Sequence, residues 1–405
     1  MKFSDLNKPR SEPAKAEPEK KARPVLPYKA EAPVPAPVPR PAPAEELPPE
    51  KAPRAEDRED AVKNGAAAYK PRQRETRNAP KEPAVPFRDL DVKAREVYTR
   101  IMKQTGELLR HIDQPYTERY ESILRACALA ADTLRTNSVL LNYTTFATAE
   151  DYLHAHTANT AILAIAMGLA ADLDPAELSL LGFCAMTHDI GMTAYDGIYR
   201  SEDRLTDEQF SEITLHTEAG MEKLDRIVDI DYRIKDRAKR IILQTHERMD
   251  GSGYPDRLTH EEIDPLAQII GIADVYEAMT HPRAWRAPMN PPDVVKELIE
   301  KEGRGFNSGV VKALISALSI YPAGSFVALS TGEIAKVIKV NKGSLTRPLV
   351  EIVLDPEFAP AAVHSLDLLE YPLTSIERTV DPKEIEERNP KFFAKLDLAR
   401  WWVEW

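Results

Sequence analysis

From Phe87 to about Leu318 apolar residues recur with the helical period almost throughout, and a histidine or aspartate returns about once per helix-and-return. This pairing constrains the fold more than any other feature. Amphipathic helices must bury their stripes on one another, and one ionisable side chain from each successive helix can then converge at the centre of a bundle. The positions are His156, the His188-Asp189 dyad, His216, His246 and Asp274, spaced by 32, 28, 30 and 28 residues.

The helical reading gives two entry helices, "FRDLDVKAREVYTRIMKQTGELL" and "YTERYESILRACALAADTL", within residues 87–150. "EDYLHAHTANTAILAIAMGLAADL" is a third helix, and "PAELSLLGFCAMTHDIG" a fourth that ends at Gly191. Thr206, with Gln209 three residues on, opens a fifth through a capping box. "DYRIKDRAKRIILQTHER" is a sixth, with a core stripe at Ile234, Ala238, Ile241, Ile242 and Thr245. Asp264 and Pro265 suit the N-cap and first turn of a seventh, and Asn307 starts another. The pattern changes after residue 320. "SFVALSTGEIAKVIKVNKGSLTRPLVEIVLD" is rich in Val, Ile and Thr and broken by turn residues, so it predicts three or four antiparallel strands in a small β subdomain over 321–372. Residues 373–405 read as a helical tail with an aromatic foot that packs back on the body.

Residues 1–86 hold 18 of the 33 prolines and one glycine. Such a segment cannot bury enough apolar surface to offset its conformational entropy, so it reads as a disordered, Pro-rich tail. It carries a net charge of +4, which leaves about −15 on the remaining chain. An acidic body argues against long nucleic acid as a partner, although a bound metal can invert the local field for a small phosphorylated ligand. Cys127 and Cys184 lack metal-ligand spacing and read as buried reduced thiols. The N-terminus has no apolar signal core, and the longest apolar run, "AILAIAMGLAA", is too short for a bilayer. A cytoplasmic protein without a membrane span is expected.

Taken alone, His156 on a stripe with Thr160, Leu163 and Met167 reads as a core histidine, and His216 as core or surface. His154 points to the opposite face. Asp274 lies mid-helix among Ile270, Ile272 and Ala278, where an unpaired carboxylate is costly and metal ligation would compensate. Together the six groups favour a metal site. With no thiolate among them they suit Mn, Fe, Zn or Ni, and two metals bridged by a carboxylate would serve an in-line phosphoryl displacement.

The ordered string "HT" at 156, "HDIG" at 188, "HT" at 216, "HER-DGSGYP" from 246, "IAD" ending at Asp274 and "HPRAWR" from 281 resembles the HD-GYP family of metal-dependent phosphohydrolases. The match runs from about Asp151 to Leu318, and "YPAGSFVALSTGE" resembles the piece that often follows. The resemblance implies a mainly α fold, an HD-type bundle over 151–320, and two divalent transition metals, iron or manganese. The metals would be held by His156, His188, Asp189, His216, His246 and Asp274, with His188 and Asp189 central to catalysis. The implied reaction is hydrolysis of cyclic di-GMP, or a related cyclic dinucleotide, to the linear dinucleotide or GMP. Gly253-Tyr254-Pro255 would meet substrate or a signalling protein, and Arg283 and Arg286 would contact phosphate. Glu247 and Asp250 would support the site or cap the turn.

Two positions depart from the family: Met192 stands where a lysine is usual, and Thr245 where a second histidine is usual. A third, Tyr152, stands where a glutamate adds a third metal in one variant, so no third metal is expected. Two other readings therefore stand beside the enzyme: a weak or inactive scaffold that binds nucleotide or a partner, and a phosphohydrolase acting on another nucleotide. Because the tail supplies neither core nor ligand, a variant beginning near Pro86 should keep the thermal midpoint of the full chain. A large drop would show that the tail docks on the body.

Overall fold

The computed structural model describes residues 87–114, 119–145, 152–201, 203–282, 286–300, 304–341 and 343–400, with side chains as far as 395. The Pro-rich tail, Asp151, Arg283 and the terminal tryptophans lie outside them. The helical part comprises α1 (Phe87–His111), α2 (Tyr120–Thr136), α3 (Leu140–Tyr143), α4 (Tyr152–Ala170), α5 (Pro175–Thr187), α6 (Asp196–Tyr199), α7 (Asp207–Ile213), α8 (His216–Leu224), α9 (Tyr232–Leu243), α10 (Pro265–Thr280), α11 (Pro291–Glu300) and α12 (Ser308–Leu318).

Helices α4 and α10 are buried on almost every side, as expected of sequences that are apolar all round. They pack on each other, while α1, α2, α5 and α12 close around α4. His156 and Asp274 are therefore carried to the centre by the two most enclosed helices. Several helix starts follow their capping residues. Asp174 accepts from the amides of Ala176 and Glu177 with Pro175 at the first position. Thr206 and Gln209 complete a reciprocal capping box, and Asp264 and Asn307 cap α10 and α12. Each such cap is worth about 1 kcal/mol.

The structure differs from the sequence expectation in four places. The sixth helix, read as running through Arg248, ends at Leu243, so Thr245 and His246 lie beyond it. The predicted fifth helix is broken at Thr214 and Leu215, so that His216 begins a new helix, α8. No glycine or proline marks that break. Ile234 is exposed, so the buried stripe of α9 begins at Ala238. The sheet has five strands rather than three or four: β1 (Phe326–Leu329), β2 (Ile334–Asn341), β3 (Ser344–Leu354), β4 (Pro360–Asp367) and β5 (Ile376–Val380).

The strand order is β4-β3-β2-β1-β5, and every pairing is antiparallel. Strand β5 falls in the stretch read as helical tail, because IERTV is short and polar and its pairing with β1 is long-range. Alternate residues of β1 serve two clusters: Phe326 and Ala328 join one, Val327 and Leu329 the other. Helices α13 (Pro382–Arg388) and α14 (Pro390–Arg400) follow, and Ile385, Phe392 and Phe393 pack on the first cluster. The tail helices thus cover the sheet. The helical part and the sheet are tied by Asn142, whose amide donates to the Ile338 carbonyl at 2.7 Å. Ser319 donates likewise to Leu345 at 2.6 Å.

Cys127 and Cys184 are free and buried, and the Cys127 thiol donates to the Met186 sulfur. Burial pushes the Cys127 thiol up to about 12 and raises Cys184 well above its ordinary value. The thiolate is the reactive form, so a disulfide exchange reagent at pH 8 should label neither cysteine in the native protein. Both should react after denaturation. Rapid labelling of the folded chain would contradict this core.

Candidate metal centre

The six predicted groups meet at one place. His156 lies mid-α4, His188 caps the end of α5, and Asp189 follows it. His216 opens α8, His246 lies just past the end of α9, and Asp274 lies mid-α10. All six are buried. They form two donor sets, His156-His188-Asp274 and Asp189-His216-His246, whose ligand atoms in each set lie within 4.8 Å of one another. That span approaches a single coordination sphere with bonds of ~2 Å.

Asp189 joins the sets. Its Oδ2 is 3.5 Å from His156 Nε2, and its Oδ1 is 3.5 Å from His188 Nε2, 3.3 Å from His216 Nε2 and 3.9 Å from His246 Nε2. Asp274 Oδ1 is 3.1 Å from His156 Nε2. The approach of α8 depends on Gly191, since a Cβ there would lie 1.9 Å from the His216 carbonyl oxygen.

Three of the four imidazoles are oriented by a bond at Nδ1. His156 Nδ1 meets Glu277 at 2.5 Å, His188 Nδ1 meets the Ala185 carbonyl at 2.8 Å, and His216 Nδ1 meets the Ile213 carbonyl at 2.6 Å. Acceptors at Nδ1 hold a proton there and turn Nε2 toward the centre, the orientation that metal-binding histidines require. Burial disfavours charge on both aspartates. The surrounding histidines outweigh it, holding Asp189 well below and Asp274 below the usual carboxylate range. Burial also opposes charge on His156, but Tyr152, Glu277 and the aspartates raise it well above its ordinary value. Of the eleven buried side-chain atoms without a hydrogen-bond partner among the described residues, four lie on these ligands: His188 Nε2, Asp189 Oδ1, His246 Nδ1 and Asp274 Oδ2. An unsatisfied buried polar group costs about 1–3 kcal/mol, and these four belong to the two donor sets. The residues fit a pair of divalent ions.

The Gly-Tyr-Pro turn is built around Glu247. Its Oε1 accepts from the amides of Asp256 and Arg257 at 2.7 and 3.0 Å, and its Oε2 from Leu258 at 2.9 Å. Gly253 presses on the chain that it follows, where a Cβ would lie 2.5 Å from the His246 oxygen. Gly251 takes a positive φ of 72°, and the Tyr254-Pro255 peptide is cis. Asp250 accepts from the Ser252 amide at 3.0 Å. Glu247 and Asp250 therefore bind the turn. Tyr254 is half-buried and stacks on His246 with ring centroids 4.9 Å apart and planes 10° apart.

Arg286 lies at the end of α10, where its guanidinium donates to the carbonyls of Ala278 and Met279. Thr245 is buried, and its hydroxyl donates to the Ile242 carbonyl at 2.9 Å. Met192 packs, half-buried, against the bundle core. Tyr152 stacks on His156 at 5.4 Å. Sequence reasoning missed Glu277, Asn159 and His281, which are buried around His156. Glu277 lies one turn beyond Asp274 on the same helix face, and a second carboxylate in so apolar a helix was the available signal.

Residues 143–309 match the family described as "HD domain", and residues 326–388 match "KOW domain associated with HD domain". Members of the first family bind divalent metals. The chain is 30% identical over 225 residues to a cyclic di-GMP phosphodiesterase of Pseudomonas aeruginosa, covering 55% of this chain and 53% of the relative. It is 29% identical to the cyclic di-GMP phosphodiesterase PdeB of Borreliella burgdorferi, covering 50% and 53%. A 3'3'-cGAMP-specific phosphodiesterase of Vibrio cholerae is 30% identical over 40% of this chain and 30% of its own length. The chain thus spans about half the length of the first two relatives. The solved structure of an HDG"Y"P protein from Bdellovibrio bacteriovorus aligns with a TM-score of 0.45 at 18% identity, over 59% of this chain and 73% of that one.

Because Glu247 satisfies three amides of the turn, Glu247→Gln should weaken the turn and Glu247→Ala should open it. Limited proteolysis should then cut near Asp256–Leu258 in the alanine variant. Protection equal to that of the wild type would contradict the assigned role.

Proposed function

We propose, from the premise that this chain carries an HD domain of the HD-GYP type, that it is a metal-dependent phosphodiesterase of cyclic di-GMP or a related cyclic dinucleotide. The products would be the linear dinucleotide or GMP. The observation that carries this reading is the Asp189 carboxylate, which lies within 3.5 Å of His156 and His188 of one donor set and of His216 of the other. In this reading His156, His188 and Asp274 hold one ion, and His216 and His246 hold the second. Asp189 serves both, and iron or manganese suits these nitrogen and oxygen donors. Divalent metal held there supplies Lewis acidity and lowers the pKa of water for phosphoryl transfer.

The chain's own residues orient the donors and shape access. The Nδ1 partners of His156, His188 and His216 fix which nitrogen faces inward. Tyr254, stacked on His246, brings the Gly253-Tyr254-Pro255 turn to the edge of the site, where it would meet a base of the nucleotide or a signalling partner. Arg286, and Arg283 beside it in sequence, are the proposed phosphate contacts. The free, buried cysteines support a reducing, cytoplasmic setting. No helix among the described residues is long and apolar enough to cross a membrane.

Met192 and Thr245 are the features that favour a weak enzyme or a binding scaffold. Met192 removes one cation, and a lost charge-assisted contact costs about 1.5–3 kcal/mol. Purified protein supplied with manganese should hydrolyse cyclic di-GMP, and Asp189→Ala should lose both that activity and most of its metal. Met192→Lys should raise kcat/KM at saturating metal. Thr245→His should lower the manganese concentration needed for half-maximal rate. If wild type and both restored variants bind the nucleotide and none turns it over, the scaffold replaces the enzyme. Full metal content in Asp189→Ala would overturn the ligand assignment.

A further inference from the structure

A buried chain of polar groups runs from the first helix to one donor set. Tyr98, on α1, donates its hydroxyl to Asn159 Oδ1 at 2.9 Å. Asn159, on α4, donates from Nδ2 to Glu277 Oε1 at 3.1 Å. Glu277, on α10, accepts through Oε2 from His156 Nδ1. His281 closes the side of the chain. Its Nδ1 bonds the Glu277 carbonyl at 2.8 Å and lies 3.3 Å from the Glu277 carboxylate, and its Nε2 is 3.5 Å from Asn159 Nδ2. Tyr98, Asn159, Glu277 and His281 are all buried to 2% exposure or less. Burying so many polar groups is costly unless each is satisfied, and here every link pairs a donor with an acceptor.

We propose that Tyr98 and Asn159 are positioning residues for the metal centre, acting through Glu277 on His156. The inference rests on the reading that His156 is a ligand. Glu277 fixes the tautomer of His156 and strengthens Nε2 as a donor, since a carboxylate at Nδ1 makes imidazole a better ligand. Asn159 and His281 hold the Glu277 carboxylate in place, and Tyr98 holds the Asn159 amide. Burial raises the Tyr98 phenol far above its ordinary value, with Glu277 adding to the effect, so the hydroxyl stays a donor.

Tyr98 lies outside residues 143–309, the segment that matches the HD family. The centre is therefore completed by a helix that precedes the matched domain. Helix α1 is itself held by α3, where Tyr143 donates to Asp91 at 2.8 Å and its ring lies 5.5 Å from that of Tyr98. Helix α3 also carries Asn142, which bonds strand β2. A change in how α1 or the sheet is seated would reach His156 by this route.

The test is manganese binding to the metal-free full chain, read from the signal of free manganese by electron paramagnetic resonance. Apo thermal midpoints are measured beside it. Glu277→Gln should weaken the tighter or the weaker of the two sites about 10–100-fold, the usual effect of removing a partner of a ligating histidine. Tyr98→Phe keeps the ring and removes only the hydroxyl, and should weaken the same site by a few-fold with little change in the apo midpoint. In the Glu277→Gln background, Tyr98→Phe should have no further effect on manganese affinity. A Tyr98→Phe effect of equal size in both backgrounds, or one confined to the apo midpoint, would overturn the relay and leave Tyr98 a packing residue. Asp274→Ala separates this from failure of the ligand reading. If that variant keeps both ions, the site itself is misassigned. If it loses one ion while Glu277→Gln binds manganese as the wild type does, only the relay fails.

Discussion

Burying two ionised aspartates with four imidazoles is the constraint around which the helical part is arranged. An ion taken from water into a protein interior loses several kcal/mol of solvation even after relaxation. Asp189 and Asp274 recover part of this from the histidines around them, which hold both carboxyls in the charged form. The recovery is incomplete, since one oxygen of each aspartate and one nitrogen each of His188 and His246 are left without a hydrogen-bond partner. A core that tolerates four such atoms in one place is built for something that satisfies them together. In the proposed reading two divalent cations would relieve this cost, and the donors divide into two sets about a shared carboxylate.

The rest of the fold can be understood as support for that arrangement. Helices α4 and α10 are buried on almost every side, and they carry His156 and Asp274 into the interior. Gly191 lets α8 come close enough to place His216 beside Asp189. The turn after His246 is held by the Glu247 carboxylate, and it returns Tyr254 onto the His246 ring. This explains why a helix that could simply end is followed by two glycines, a tyrosine and a proline. Gly253 is required by the close approach of the turn to residues 246–248, and the proline completes the reversal.

Much of this was legible in the sequence because it is written in helical periodicity and residue chemistry. The six donors stood out by type and spacing, and the capping residues of α7, α10 and α12 marked their starts. The break before His216 was not legible, because it has no local breaker and α8 is seated by its close approach, at His216 and Gly220, to Gly191 far back in the chain. Strand β5 was hidden because its partner, β1, is about fifty residues earlier in the chain. The groups behind His156 were missed for a related reason. Tyr98, Asn159 and Glu277 lie on three different helices, and each alone resembles an ordinary polar residue in an amphipathic pattern. Only their assembly in space shows that they form one chain.

The central claim is that the six residues hold two ions about Asp189. Anomalous diffraction from crystals of the protein grown with manganese, recorded at a wavelength that excites the metal, measures this most directly. The account predicts two peaks flanking the Asp189 carboxylate, one among His156, His188 and Asp274 and the other beside His216 and His246. No peak at this position, or density for a single ion held by other residues, would contradict it.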